Sequence, residues 1–146
     1  MPPIHTGNFP VHDLQQLSTG VIREDDQAAT IRAQVCSVYP ERNEALVNAG
    51  AVAISRETAG GFPGFGRVAN QPTWGVVRMS QEHGILGLVN HDGGAPGERV
   101  EDTFRVGQDV SLRVNHVCIT AAAFYVYYIL DEDNKVVDAW VPWKGW

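Results

Sequence analysis

The stretch Trp74-Gly75-Val76-Val77-Arg78-Met79-Ser80-Gln81-Glu82-His83-Gly84-Ile85-Leu86-Gly87-Leu88-Val89-Asn90 decides the fold. Two apolar runs, Trp74 to Ser80 and Ile85 to Asn90, flank Gln81-Glu82-His83-Gly84, the spacing of a β-hairpin with glycine in the turn. Gly84 reads as the positive-φ residue of that turn. Gly75 and Gly87 inside the runs predict bulges or a closely approaching backbone. Upstream, Thr30 to Val38 is rich in β-branched residues, with apolar side chains on both alternating sets, which predicts a buried strand. The polar turn Glu41-Arg42-Asn43-Glu44 leads to Ala45-Leu46-Val47 and then Ala51 to Ser55, two more short strands. Thr58 to Gly66 holds too much glycine and proline for regular structure and reads as a loop pinned by Phe62 and Phe65. Past the glycine-rich loop His91 to Gly97 come Arg99 to Val106 and, after a turn at Gly107, Asp109 to His116. Phe124 to Leu130 and Lys135 to Trp143 form a last hairpin around Asp131-Glu132-Asp133-Asn134. Residues 1–20 show no sustained period and read as loop with one short turn of helix or strand.

No window supports a long amphipathic helix, and strands recurring about every eight to twelve residues predict a mainly β fold, a small β-barrel-like domain. The chain has 146 residues, 44% of them apolar, which suits one core without a disulfide or metal staple. Cys36 and Cys118 are thereby available for other roles. Eleven basic residues against seventeen acidic ones give a net charge of -6, and the basic residues are scattered singly. Neither nucleic acid nor an anionic membrane is an expected partner. No apolar run approaches the roughly 18 residues of a membrane span, and the first five residues lack the pattern of a secretion signal. With only two cysteines, a reducing, cytoplasmic compartment is expected.

The best local chemical signal is Asn115-His116-Val117-Cys118. On a strand, residues two apart project from one face with Cα atoms about 6.5 Å apart, so an imidazole and a thiolate can converge on one ion. Two ligands are short of the four of a structural zinc site. The spacing alone favours a plainer reading, a buried small cysteine beside a hydrogen-bonded strand histidine. Glu82-His83-Gly84 places an acid and an imidazole at a turn, and His91-Asp92 a second such pair, but neither has a nucleophile nearby in sequence. Gly60 to Gly66 lacks the lysine of a phosphate loop. Trp140, Trp143 and Trp146 are explained by packing and docking of the terminus, and Asp131-Glu132-Asp133 by a solvated hairpin without the spaced ligands of a calcium loop.

Six strings in register resemble one family: Gly7-Asn8-Phe9 with Asp13-Leu14-Gln15-Gln16; Asn48 to Ser55; Gly64 to Val68; Ser80 to Gly84; Asn115 to Cys118; and Trp143-Lys144-Gly145-Trp146. Together they resemble the C-terminal part of the D-serine dehydratase and D-threonine aldolase-like enzymes, fold-type III pyridoxal phosphate enzymes, and the ending is most similar to their fungal members. The resemblance implies a β-domain like that of alanine racemase-like enzymes, following a (β/α)8 barrel that carries the cofactor on a lysine. Residues 1–20 would be the remnant of the barrel's last strand and a linker, and residues 21–146 the β-domain. In the dehydratase branch a His-x-Cys pair binds zinc beside the cofactor, which implies His116 and Cys118 as the metal ligands here. Aldolases of the family tend to have Asp at the second position, so Cys118 points to the dehydratase-like subgroup. Gly7 and Asn8 match the glycine turn whose backbone N-H groups meet the cofactor phosphate, and His83 matches a string that could face the active site.

The sequence departs from the family's pattern at Asn48, where relatives usually have Asp, and at Phe9, where many have Tyr. Its only lysines are Lys135, in a polar turn, and Lys144, near the end. A Schiff base needs a desolvated amine poised beside the cofactor, and neither lysine lies on a barrel strand. The expected identity is therefore the zinc-bearing β-domain of a lyase, dehydratase or aldolase, acting on D-serine or a related D-3-hydroxyamino acid. Alone it would be inactive and would not hold pyridoxal phosphate tightly; the missing barrel would be its partner, with a homodimer as in relatives. The alternative is a noncatalytic β-barrel interaction module.

Overall fold

The computed structural model describes residues 7–89 and 97–144. Met1 to Thr6, Asn90, the loop segment His91 to Pro96, and Gly145-Trp146 lie outside the described residues. The regular elements are α1 (Leu14–Leu17), β1 (Ile31–Tyr39), β2 (Glu44–Val47), α2 (Ala51–Ile54), β3 (Gly66–Val68), β4 (Gln71–Met79), β5 (Gly84–Leu88), α3 (Val100–Thr103), β6 (Asp109–Val114), α4 (Val117–Ala123), β7 (Tyr127–Leu130) and β8 (Val136–Trp140). Six strands close into an antiparallel barrel in the order β1-β2-β5-β4-β3-β6, with β6 pairing back on β1. Closure removes every open edge from this sheet. The hairpin β7-β8 forms a separate two-stranded sheet.

A small barrel has one interior face, so alternate residues of each strand fill it. Val35, Val47, Trp74, Val76, Leu86 and Leu112 are fully buried there, each aliphatic one worth about 1.5–3 kcal/mol of transfer free energy. The same geometry corrects the expectation for β1. Its burial alternates, with Ala33 and Val35 inside and Arg32, Gln34 and Cys36 exposed, because the strand has only one core to face. The hairpin β4-β5 forms as expected, with a bulge between Val76 and Arg78. Gly75 and Gly87 sit opposite one another in it. A Cβ on Gly75 would meet the Gly66 carbonyl oxygen at 2.6 Å, so close backbone approach is the reason for this glycine.

Three further expectations need correction, on Gly84, on Ala51 to Ser55 and on the C-terminal tryptophans. Gly84 is not a positive-φ turn residue: it opens β5, where a Cβ would meet the Ala49 carbonyl oxygen at 2.5 Å. Ala51–Ile54 is a helical turn, not a strand. A short apolar run does not distinguish the two by periodicity, and here Ala51 N and Val52 N donate to the carbonyls of Ser80 and Gln81, which turns the chain. Within Arg99 to Val106 the regular structure is the helical turn α3, whose Val100 and the following Phe104 are buried in the core. Trp140 and Trp143 are not packed: they are 58% and 102% exposed.

Candidate functional site

Strand β6 ends at Val114, and the next residue redirects the chain. Asn115 is buried, and its Nδ2 donates to the carbonyls of Glu57 (2.8 Å) and Gly64 (2.9 Å). A side chain bonding the backbone of a loop replaces the next step of the ladder. His116 then takes the cap position of α4, with φ -137° and ψ 98°, and Cys118 is the second residue of that helix. The expectation of a strand carrying both residues is therefore corrected: the pair straddles a strand-to-helix turn, and strand alternation does not set the direction of its side chains.

The two groups differ in their access to solvent. Cys118 is exposed, which corrects the reading of a buried small cysteine. The His116 side chain is 30% exposed, but its Nδ1 is a buried atom with no hydrogen-bond partner. Glu57 Oε2 lies 3.9 Å from that nitrogen, too far for a hydrogen bond. Thr120 Oγ1 donates to the carbonyls of His116 (3.1 Å) and Ile54 (3.3 Å), tying the helix to α2. A third tie comes from the N-terminal segment, where the buried Asp13 accepts from the N-H of Val117 at 2.9 Å.

Of the other candidates, Asn8 is linked to this turn through Asp13 Oδ2, which also accepts from Val117 N. His83 is an exposed turn residue whose N-H donates to Ser80 Oγ at 3.3 Å. It borders a shallow groove with Leu46, Arg78 and Ile85 on the barrel's outside. Asn8 is fixed by its side chain, Nδ2 donating to Asp13 Oδ2 and Oδ1 accepting from Gln16 Nε2. Its carbonyl accepts from Val11 N and His12 N. Gly7 is exposed, and a Cβ there would meet nothing within 4 Å, so no close approach requires glycine. Among the described residues no group of three or more His, Cys, Asp or Glu is placed to hold a metal. Lys135 is exposed, and Lys144 Nζ donates to the Ala122 carbonyl at 2.7 Å. No helix of the described residues is long and apolar enough to cross a membrane.

Sequence reasoning missed Asp13, Glu57, Asn115 and Thr120 as the frame of the pair. Only Asp13 carried a readable signal, an acidic residue just ahead of a leucine at a helix start. It is indeed the N-cap of α1, accepting from Gln16 N.

The closed barrel with its appended hairpin is a known domain type. It superimposes on an alanine racemase-like protein from Idiomarina loihiensis with a TM-score of 0.75 and 27% identity, over 93% of this chain and 37% of that one. Residues 28–130 match the family model "Putative serine dehydratase domain", and the chain belongs to that D-serine dehydratase family. The D-serine dehydratase of Schizosaccharomyces pombe is 43% identical over 98% of this chain and 34% of its own length. The D-threo-3-hydroxyaspartate dehydratase of Delftia sp. HT23 superimposes with a TM-score of 0.76 at 28% identity, over 93% of this chain and 37% of that one. Two further solved structures of a D-threo-3-hydroxyaspartate dehydratase that this chain resembles are a Cys-to-Ala mutant in the metal-free form and a His-to-Ala mutant, the substituted positions being two residues apart. The chain thus spans about a third of the length of these relatives.

Proposed function

We propose that this chain is the metal-bearing β-domain of a D-3-hydroxyamino acid lyase, with His116 and Cys118 as its metal ligands. The observation that carries the reading is an imidazole nitrogen with no hydrogen-bond partner, two residues from an exposed thiol, at one chain turn. An imidazole and a thiolate are both good ligands for zinc, and two protein ligands leave the remaining positions open to solvent and substrate. The donor set therefore fits zinc. When bound, such an ion supplies Lewis acidity toward a substrate hydroxyl, which serves dehydration and retro-aldol cleavage alike. The protein's own part is to hold the imidazole and thiolate at one chain turn, with the imidazole Nδ1 left without a partner and the thiol exposed.

Pyridoxal phosphate does not fit this chain alone. Its two lysines are an exposed hairpin residue and one engaged with helix α4 carbonyls, and neither offers a desolvated amine. In this reading the cofactor lysine belongs to a (β/α)8 barrel partner, residues 1–20 join the two parts, and Gly7 and Asn8 approach the cofactor phosphate. The substrate is D-serine or a related D-3-hydroxyamino acid, and the assembly a cytoplasmic homodimer. His83 is the weakest member of the set, since it borders a groove separate from the pair.

The test is titration of the 146-residue chain with cobalt(II), a spectroscopic stand-in for zinc, at neutral pH. The reading expects a thiolate-to-cobalt absorption band, absent from Cys118→Ala and weakened in His116→Ala. A parent protein that develops no such band overturns it. The second reading, a noncatalytic interaction module, draws on the apolar surface of the C-terminal hairpin, where Tyr128, Trp140 and Val141 are all exposed. It expects no metal uptake.

A further inference from the structure

We propose that Asp13 is a positioning residue for the His116-Cys118 pair, capping α4 from outside so that the His116 imidazole remains free for the metal. This inference rests on the reading of that pair as metal ligands. A residue at a helix cap ordinarily spends its side chain on the first unpaired N-H groups of the helix. His116 occupies the cap of α4 and makes no such bond. The first helical N-H, that of Val117, instead donates to Asp13 Oδ2 at 2.9 Å, across 104 residues of sequence. The peptide so held is the one that joins His116 to the residue before Cys118, so its plane governs where both side chains leave the backbone.

Three features make this a built arrangement. Asp13 is 1% exposed, and burying a carboxylate is costly unless hydrogen bonds satisfy it. Its donors are the backbone N-H groups of Val117 and Gln16 and the Asn8 amide. No ion pair to Asp13 is found among the described residues, so N-H groups rather than a cation satisfy its oxygens. The same carboxylate is the N-cap of α1, so one side chain locks the N-terminal segment and α4 together. Gln15 N, donating to the Asn115 carbonyl at 3.2 Å, adds a backbone tie between the two. A partner that orients a ligand typically accounts for about 10- to 100-fold in metal affinity.

Cobalt(II) titration of Asp13→Ala, Asp13→Asn and the parent tests the proposal. Asp13→Ala is expected to weaken cobalt binding about ten-fold or more and to shift the thiolate-to-cobalt band. Asp13→Asn keeps an acceptor for Val117 N and is expected to recover part of the affinity. Glu98→Ala, a destabilising change that touches neither segment, is the control for loss of stability alone and is expected to bind as the parent does. Equal affinity and an unchanged band in Asp13→Ala overturn the positioning role while leaving the metal reading intact. Absence of a band in the parent overturns both. If Asp13→Ala does not fold, Asp13→Asn decides, because its single acceptor oxygen cannot serve both Gln16 N and Val117 N: weaker cobalt binding or a shifted band supports the role, and parental affinity with an unchanged band overturns it.

Discussion

The indole Nε1 of Trp74 donates to Glu98 Oε2 at 2.8 Å, and the same oxygen accepts from Thr73 Oγ1 at 2.6 Å. Trp74 is fully buried and meets Phe104 edge-on, with ring centroids 5.1 Å apart. One carboxylate oxygen thereby satisfies the polar atom of the largest residue in the core and ties the segment before α3 to β4. In Glu98→Ala the indole N-H stays buried with its partner removed, at a cost of about 1–3 kcal/mol. Urea unfolding followed by tryptophan fluorescence is expected to show a lower midpoint for Glu98→Ala and a smaller loss for Glu98→Gln, which retains an acceptor. Equal midpoints for parent and Ala variant would contradict this account.

Asn115 acts by donating, and that makes its replacements rank in a specific order. Its Nδ2 serves two carbonyls, those of Glu57 and Gly64. Asn115→Ala leaves both without that donor, at about 1–3 kcal/mol. Asn115→Asp is expected to cost more than Asn115→Ala, because a buried carboxylate would then face two carbonyl oxygens. Thermal unfolding gives the ranking, and amide exchange is expected to rise over residues 57–64 in both variants. An Asp variant as stable as the parent would mean that this side chain does not hold the loop.

What could be read in the sequence follows the range of the interaction. Trp74 to Met79 and Gly84 to Leu88 announce their hairpin through residues a few positions apart, and the barrel follows from the repetition of such signals. Ala51–Ile54 was illegible because four apolar residues suit either a strand or a helical turn, and the deciding bonds come from Ser80 and Gln81. The His116-Cys118 spacing was legible as a pair, but its geometry was not. Its turn depends on Asn115 reaching Glu57 and Gly64, and on Asp13 reaching Val117, contacts that no local pattern encodes.

Arg67 offers a case where removal of a charge is expected to stabilise. Its Nε and Nη2 are buried without hydrogen-bond partners, its guanidinium lies 4.6 Å from the centre of the Phe62 ring, and Arg113 sits opposite on β6. Burial holds its pKa below the ordinary arginine value, and Glu24 offsets this only in part. A base whose folded pKa is lowered binds its proton less well when folded, so it opposes folding in full at every pH below that value, and the penalty fades only as pH rises from there toward the unfolded pKa. The penalty is thus present throughout the neutral range. Arg67→Met keeps the packed stem and is expected to raise stability by about 1 kcal/mol, less the cation-π contact. The increment should be the same at about pH 6 and about pH 8, as read from urea midpoints. A destabilised Arg67→Met would show that the Phe62 contact outweighs the buried charge.

The hairpin β7-β8 is expected to be the least protected regular element of the fold. An isolated two-stranded ribbon is marginal in water unless it packs on something, and every residue of β8 is exposed. Its turn is well made, with Asp131 Oδ1 accepting from Asp133 N and Lys135 N, but a turn fixes register and supplies no core. Native-state hydrogen exchange should therefore find the amides of 127–130 and 136–140 opening well below the global unfolding free energy, while Val35, Val76 and Leu112 in the barrel exchange only by global unfolding. Trp143→Ala, at a fully exposed position, should change global stability by less than about 0.5 kcal/mol. Hairpin amides protected to the same degree as the barrel, in the 146-residue chain at low concentration, would show that the two sheets unfold as one cooperative unit.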